Sequence, residues 1–281
     1  MKKLLMLLLL LALCLPACAE VHMGPPPENW AGDVLRVTAI SVGEGDALLL
    51  ECGGERMMVD GGPSALFHHL TGALEARDIR SFKYLLNTHY HDDHINGLYH
   101  LMKNDYAVQE YMHPYSNVMV AGDKLEKRTV EMAQQKSITV HRLYTGDVIT
   151  LGGAIIRVFR YWDIPNGNAR SMIERVEFGE ASVWLTADIT GKAQEYYAGK
   201  LEPELLRADL LKAPHHGITP VQEDFLNVVD PRFCLITNYE DGVTTIKSQM
   251  ESRGIPVLYS GEGEVIMETD GHDWYVWQNL L

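Results

Sequence analysis

Cysteine is scarce in this 281-residue chain: there are 4, and Cys14 and Cys18 fall within its first 19 positions. Cys52 and Cys234 alone remain beyond them, too few for a disulfide framework. Each adjoins an apolar, strand-like run, so each is expected to be a small buried hydrophobe. Basic residues are also few. Lys and Arg number 24 against 38 Asp and Glu, a formal charge of −14. That balance argues against the basic surface that sequence-independent binding to long nucleic acid requires. It leaves room for a small or oligomeric anionic substrate, because bound cations reverse the field locally. No internal repeat and no long Ser-, Gly- or Gln-rich tract interrupts the chain. With 46% apolar residues, one compact domain spanning residues 34–281 is expected.

Long apolar runs are confined to the N-terminus. Lys2 and Lys3 precede an unbroken apolar run from Leu4 to Leu15, which Pro16 ends. That is the pattern of a signal peptide over residues 1–19, with Ala17 and Ala19 as the small residues before a cut at Glu20. The same stretch, Leu15-Pro16-Ala17-Cys18, resembles a bacterial lipobox with Cys18 as a lipid anchor. Either route predicts an exported, extracellular or envelope-associated bacterial protein with no membrane-spanning segment once the leader is gone. Residues 20–33 are expected to be a linker, stiffened by Gly24-Pro25-Pro26-Pro27-Glu28.

Strands are expected over 34–41, 47–52, 56–59 and 83–87, with glycines as punctuation. Ser64 is expected to cap a helix that presents Leu66, Phe67, Leu70 and Leu74 on one face. Further helices are expected over 95–103 and 123–135. In the second half, strands are expected over 148–151, 154–159, 172–178, 182–186 and 208–212. A helix from about Lys192 to Leu201 and another capped by Asp241 and stopped by Gly254 accompany them. Short strands around Val257, Val265 and Trp274 close the chain. Strands interleaved with helices in both halves suggest two mixed sheets packed face to face with helices outside.

The decisive stretch is Thr88-His89-Tyr90-His91-Asp92-Asp93-His94, directly after an apolar strand. In extended backbone, residues two apart point the same way, so His89 and His91 can present imidazoles to one cation. Asp93 and His94 lie further round the turn and can reach a second. Imidazole with carboxylate suits Zn²⁺, and also Mn²⁺ or Fe²⁺.

Here the chain resembles the metallo-β-lactamase superfamily, marked by His-x-His-x-Asp-His. Leu185-Thr186-Ala187-Asp188 is similar to that family's strand ending in a bridging aspartate. Pro214-His215-His216-Gly217 is similar to its last ligand segment. The resemblance implies an α/β fold of mixed α+β type, a four-layer αββα sandwich with the site at the strand ends. It implies His89, His91, Asp93, His94, Asp188 and His216 as metal ligands, with His215 facing substrate; the roles of His215 and His216 are interchangeable on sequence alone. Two divalent ions, Zn²⁺ or Mn²⁺, would share Asp188, and a water-derived nucleophile between them would attack the substrate. Asp93 and His215 are the catalytic candidates.

A narrower resemblance is to the ComEC-type hydrolase domain. It rests on Ser41-Val42-Gly43-Glu44-Gly45-Asp46-Ala47, Met58-Val59-Asp60-Gly61-Gly62, Asn168-Ala169-Arg170-Ser171 and Leu211-Lys212-Ala213-Pro214-His215-His216-Gly217. Together these run from about Leu35 to Glu268. Ser41, Ala187 and Ile218 depart from that pattern, and none is an expected ligand. The expected activity is hydrolysis of phosphodiester-type bonds. Alternatives are hydrolysis of a lactone, thioester or lactam, or a metal-bound surface protein without catalysis. Asp60 is expected to orient a ligating histidine, or else to form a turn with Gly61 and Gly62. Asp46 has the same two readings. Asn168 and Ser171 are expected near substrate, and His113 or Asn168 could complete the His89/His91 site.

Overall fold

The computed structural model describes residues 19–28, 30, 32–114, 124–161 and 167–280. The leader signals at Lys2–Leu15 and Cys18, and Asp123 of an expected helix, lie outside them. The first half runs β1 (Val21–Met23), β2 (Leu35–Ala39), β3 (Leu48–Cys52), β4 (Glu55–Val59), α1 (Phe67–Glu75), β5 (Ser81–Leu86), α2 (Asp92–Lys103), β6 (Ala107–Pro114), α3 (Lys124–Gln135) and β7 (Thr139–Leu143). The second half begins with β8 (Val148–Leu151), β9 (Ala154–Arg160), β10 (Met172–Phe178), β11 (Ala181–Leu185), α4 (Gly191–Lys200) and α5 (Pro203–Leu206). It ends with β12 (Leu210–Lys212), α6 (Glu223–Val229), β13 (Phe233–Ile236), α7 (Thr244–Ser252), β14 (Val257–Tyr259), β15 (Gly263–Thr269) and β16 (Trp274–Leu280).

Two sheets result, ordered β1-β16-β15-β2-β3-β4-β5-β6-β7 and β14-β13-β12-β11-β10-β9-β8. Period-2 alternation sorts their side chains into three cores. Leu48 and Leu50 of β3, Val183 and Leu185 of β11, and Phe233 and Leu235 of β13 meet between the sheets. Leu49, Met58 and Leu85 turn to the other side and pack on α1, α2 and α3 through Leu70, Leu98 and Ala133. Trp184, Leu211 and Cys234 do the same against α4, α6 and α7 through Tyr197, Phe225 and Ile246. Helices, sheet, sheet and helices therefore form four layers, as the alternation suggested. Cys52 and Cys234 are buried and unpaired.

Some local expectations fail. Val21–Met23, inside the stretch expected to be linker, pairs in parallel with β16. Ser64 does not cap α1; it lies in a 3₁₀ turn, and its hydroxyl is 3.0 Å from His100 Nε2. Asp241 does not cap α7 either, because it sits in a 3₁₀ turn over 240–242 and the N-cap is Val243. Strands β6 and β7 and helix α6 were not expected. The β7 strand is an edge with mostly exposed side chains, so it lacks alternation. No helix among the described residues is long and apolar enough to cross a membrane.

Topology positions the site. Strands β4 to β7 run parallel, and so do β11 to β14. Parallel strands release their following loops at one edge, where open α/β sheets gather ligand-binding groups. Asp60, His89, Asp188, His216 and Thr237 each come just after the end of such a strand.

One core residue conflicts with its surroundings. Glu174 shares a face of β10 with Met172, Val176 and Phe178, which line the inter-sheet core. It is fully buried, and neither carboxyl oxygen has a hydrogen-bond partner. Burial, then Asp60 and Asp46, raise its pKa well above the usual 4.5. The folded chain thus keeps a proton that the unfolded chain releases above about pH 4.5. Glu174 is tolerated best at low pH, and stability falls as pH rises past that value. Glu174→Met is expected to stabilise the fold by about 1–3 kcal/mol at neutral pH, with a gain that grows between pH 5 and 8. Denaturant unfolding at both pH values checks the magnitude and the sign.

Candidate metal centre

The His89–His94 stretch spans a strand end and a helix start. β5 ends at Leu86, His91 is the extended N-cap of α2, and Asp92 and Asp93 occupy its first turn. The His89 and His91 rings lie 4.6 Å apart. From the second sheet, the turn after β11 supplies Asp188, preceded by Ala187 at φ 42°. The turn after β12 supplies His215, His216 and Gly217, all with positive φ. Two consecutive non-glycine residues in the left-handed region are strained, as sites often are.

Distances sort the cluster into two donor sets. His94 Nε2 and His216 Nε2 are 3.2 Å apart, and each is 3.2 Å from Asp188 Oδ1. Asp93 Oδ2 is 3.1 Å from His216 Nε2 and 3.7 Å from His94 Nε2. Four ligand atoms about 2.0–2.1 Å from a tetrahedral Zn²⁺ would stand about 3.3–3.4 Å from one another. The five measured edges cluster around that value. The second set is His89, His91 and Asp188, whose ligand atoms lie within 4.8 Å of one another. There His89 Nε2 is 3.5 Å from the other Asp188 oxygen, Oδ2. His89 Nε2 and Asp188 Oδ1 are buried without any hydrogen-bond partner. One orphaned atom falls in each donor set, Asp188 Oδ1 beside His94 and His216 and His89 Nε2 beside Asp188 Oδ2, and buried acceptors left without partners fit bound cations.

Asp46 is also close to the first set, but on its far side. Its Oδ1 meets the Nδ1 edge of His216 at 3.2 Å and accepts from Thr237 Oγ1 at 2.6 Å. Its Oδ2 is 2.6 Å from Lys212 Nζ. Asp93 thus faces the Nε2 atoms of His216 and His94, whereas Asp46, grouped with His94, Asp188 and His216 by distance, faces the Nδ1 edge of His216 and the Lys212 ammonium. Asp60 plays the same part for His94. Its Oδ2 is 2.7 Å from His94 Nδ1 and accepts from Thr88 Oγ1. Its Oδ1 accepts from Asn87 Nδ2 and the Thr88 amide. Each carboxylate presents its histidine's Nε2 to the centre.

The field there draws positive charge. Burial opposes protonation of His94, yet Asp188 and Asp60 hold its pKa well above the usual value. Against burial, Asp188 and Asp46 raise His216 to about 10. Burial and the neighbouring His94 push His89 down to about 4, so it stays a neutral donor. Burial resists ionisation of Asp93, but His216 and His94 bring it to about 2. Asp188 is held well below the usual range by His94 and His216 despite its burial.

Other expected residues lie around this cluster. His215 stands at the rim, a quarter exposed, with Nε2 3.8 Å from Asp188 Oδ2 and 3.0 Å from Asn168 Nδ2. The structure thus separates the two histidines: His216 is inside and His215 outside. Ser171 is fully buried and its hydroxyl has no partner, so no hydrogen bond joins it to the cluster. His113 does not join the His89/His91 set. Its Nδ1 is 2.9 Å from Glu126, and its ring stacks on Tyr111 on the helix side of the first sheet. Sequence reasoning gave no role to Thr88, Asn87, Thr237 or Lys212. A lysine inside the apolar run Leu210-Leu211-Lys212-Ala213 was the available signal.

A two-sheet αββα sandwich with a buried His/Asp cluster at its strand ends defines a metal-binding hydrolase fold. The chain belongs to the metallo-β-lactamase superfamily, whose family model matches residues 40–226. Solved structures with the same fold include the metallo-beta-lactamase fold protein YhfI from Bacillus subtilis. It is 16% identical with a TM-score of 0.56, over 85% of this chain and 100% of that one. CmlA, a diiron beta-hydroxylase from Streptomyces venezuelae, is 14% identical with a TM-score of 0.54, over 87% of this chain and 55% of that one. At such identities the likeness shows the fold alone. No curated protein sequence is significantly similar to the chain.

Proposed function

We propose that the protein hydrolyses phosphodiester-type bonds with two divalent cations, Zn²⁺ or Mn²⁺, which the two donor sets that meet at Asp188 would hold. The observation that carries this reading is the split of one buried carboxylate between two donor sets, Oδ1 toward His94 and His216 and Oδ2 toward His89. Bound cations of this kind lower the pKa of water to near 7 and neutralise charge that develops on phosphate oxygens. The chain's own groups do the rest. His89, His91, Asp93, His94, Asp188 and His216 supply the donors. Asp60 and Asp46 fix the faces that His94 and His216 present. His215, steadied by Asn168 at the rim, hydrogen-bonds a phosphate oxygen or hands a proton to the leaving group. Burial keeps the His215 pKa below its usual value, which favours the neutral imidazole and so the hydrogen-bonding role over proton transfer to the leaving group. The finer resemblance to ComEC-type hydrolase domains supports the same substrate class.

The test is hydrolysis of bis-p-nitrophenyl phosphate by protein carrying about one to two equivalents of metal, beside a lactone, a thioester and a lactam. Turnover of the phosphodiester that chelation abolishes and Zn²⁺ or Mn²⁺ restores is the expected result. Turnover of another ester or amide without the phosphodiester would move the protein to that class. Absence of bound metal after supplementation would remove the mechanism.

We also propose export, with a mature chain beginning at Glu20. A cut after Ala19 is one of the two processing routes the sequence allows, and Glu20 is anchored in the fold. Its amide donates to Asp273 Oδ1 at 2.8 Å, and its carbonyl accepts from the Trp274 amide. A new ammonium at Glu20 would face the Asp273 carboxylate. Intact mass from an exporting host should start at Glu20; a diacylglycerol-modified Cys18 would refute this cut.

A further inference from the structure

The Lys212 ammonium is fully buried at the end of β12. Taking a charge out of water is expensive unless partners replace the lost hydration. Lys212 has two, from opposite sheets. Its Nζ lies 2.6 Å from Asp46 Oδ2, on the loop between β2 and β3 of the first sheet. It also donates to the Ala187 carbonyl at 2.9 Å, in the turn after β11 of the second. Both partners are one step from the metal centre. Ala187 precedes Asp188 in a left-handed conformation, and its carbonyl also accepts from the His215 amide at 2.8 Å. The other oxygen of Asp46 faces His216 Nδ1 at 3.2 Å. One ammonium therefore reaches Asp188 through a carbonyl and His216 through a carboxylate.

We propose that Lys212 is a positioning residue: clamped between Asp46 and the Ala187 carbonyl, it aims Asp188 and His216 at the cation site and sets the affinity for divalent metal. The proposal rests on the reading of that cluster as a metal centre. Removing both charges distinguishes this role from that of a purely structural ion pair. A buried pair replaced as a whole by neutral groups often leaves stability unchanged or raised. A positioning pair replaced in the same way leaves the fold intact and the ligands poorly aimed.

The experiment compares wild type, Asp46→Asn, Lys212→Met and the Lys212→Met/Asp46→Asn double variant. Thermal unfolding of each after chelation reports folding. Chelator competition with Zn²⁺ alone reports affinity, and the visible absorption of bound Co²⁺ reports coordination geometry. Lys212→Met by itself strands a buried carboxylate and should unfold more easily than the double variant. The double variant should fold like wild type yet bind Zn²⁺ roughly 10–100-fold more weakly, with an altered Co²⁺ spectrum. It should also bind more weakly than Asp46→Asn, because the hold on Ala187 is lost as well. Wild-type affinity and spectrum in the double variant would overturn the proposal. If the double variant does not fold, Lys212→Gln decides in its place: weaker binding supports the proposal and unchanged binding overturns it. Wild type that binds no metal would bring down the proposed function and this inference together, whereas unchanged binding in the variants brings down this inference alone.

Discussion

Asp188→Asn is expected to lose bound metal and activity together. The two Asp188 oxygens are not equivalent: one lies 3.2 Å from both His94 and His216, the other 3.5 Å from His89. Asparagine keeps one oxygen and turns the other into an N–H donor, so whichever way the amide sits, one donor set loses its carboxylate oxygen. It also removes the charge that favours a cation at His94 and His216. The rate should therefore fall by more than the roughly 10²–10³-fold that one positioned donor is worth. His215→Ala is the comparison. His215 lies at the rim, outside both donor sets, so its loss should stay within that range and leave metal content unchanged. Elemental analysis of dialysed protein, rates on bis-p-nitrophenyl phosphate and circular dichroism on the same samples separate the cases, since a metal site also supports folding. A folded Asp188→Asn variant with full metal and full rate would refute the shared-carboxylate mechanism.

These two variants also mark how far the site was legible in the sequence. The His89-to-His94 cluster could be read directly, because its histidines and aspartates are packed into six consecutive residues between the end of β5 and the first turn of α2. Asp188 and the His215-His216 pair could be read only through resemblance, since nothing local says that the β11 and β12 loops meet the β5 loop. Which of the two histidines turns inward depends on the left-handed turn at both, which residue types do not announce. Asp46, Lys212 and Thr237 stayed ambiguous or unseen for the same reason. Their hydrogen bonds connect residues 46, 212 and 237 across two sheets. His113 is a different kind of miss. Had β6 been recognised, alternation would have put His113 on the same face as Tyr111, toward the helices, and Met112 toward the opposing sheet. The αββα layering was legible because Leu-, Val- and Ile-rich strands recur between helices. The edge strand β7, with mostly exposed positions, lacked that signal.

Gly97→Ala is expected to disrupt the fold far more than an ordinary helical substitution, and a second glycine supplies the control. Gly97 lies in α2, one turn beyond His94. A Cβ added there would stand 1.8 Å from the Gly61 carbonyl oxygen and 2.4 Å from its carbon. Both are backbone atoms, so no side chain can swing aside. Gly61 follows Asp60, and its amide donates to the His94 carbonyl at 2.7 Å, while the Gly97 amide donates to Gly62 at 3.0 Å. The close approach thus fastens the helix carrying Asp93 and His94 to the turn carrying Asp60. Relief requires moving α2 off that turn, which breaks these bonds and displaces two of the proposed metal donors, Asp93 and His94. The expected loss is about 4–5 kcal/mol, beyond ordinary overpacking, or roughly 2–4 °C in Tm per kcal/mol for a chain of this size. Any folded fraction should bind metal poorly. Gly72 lies within α1, and a Cβ there would meet nothing within 4 Å. Gly72→Ala should therefore stabilise by about 0.4–1 kcal/mol, through the unfolded chain's lost freedom. Thermal unfolding of both variants with and without chelator reads the contrast. A Gly97→Ala protein with the wild-type Tm and metal content would show that α2 does not rest on Gly61.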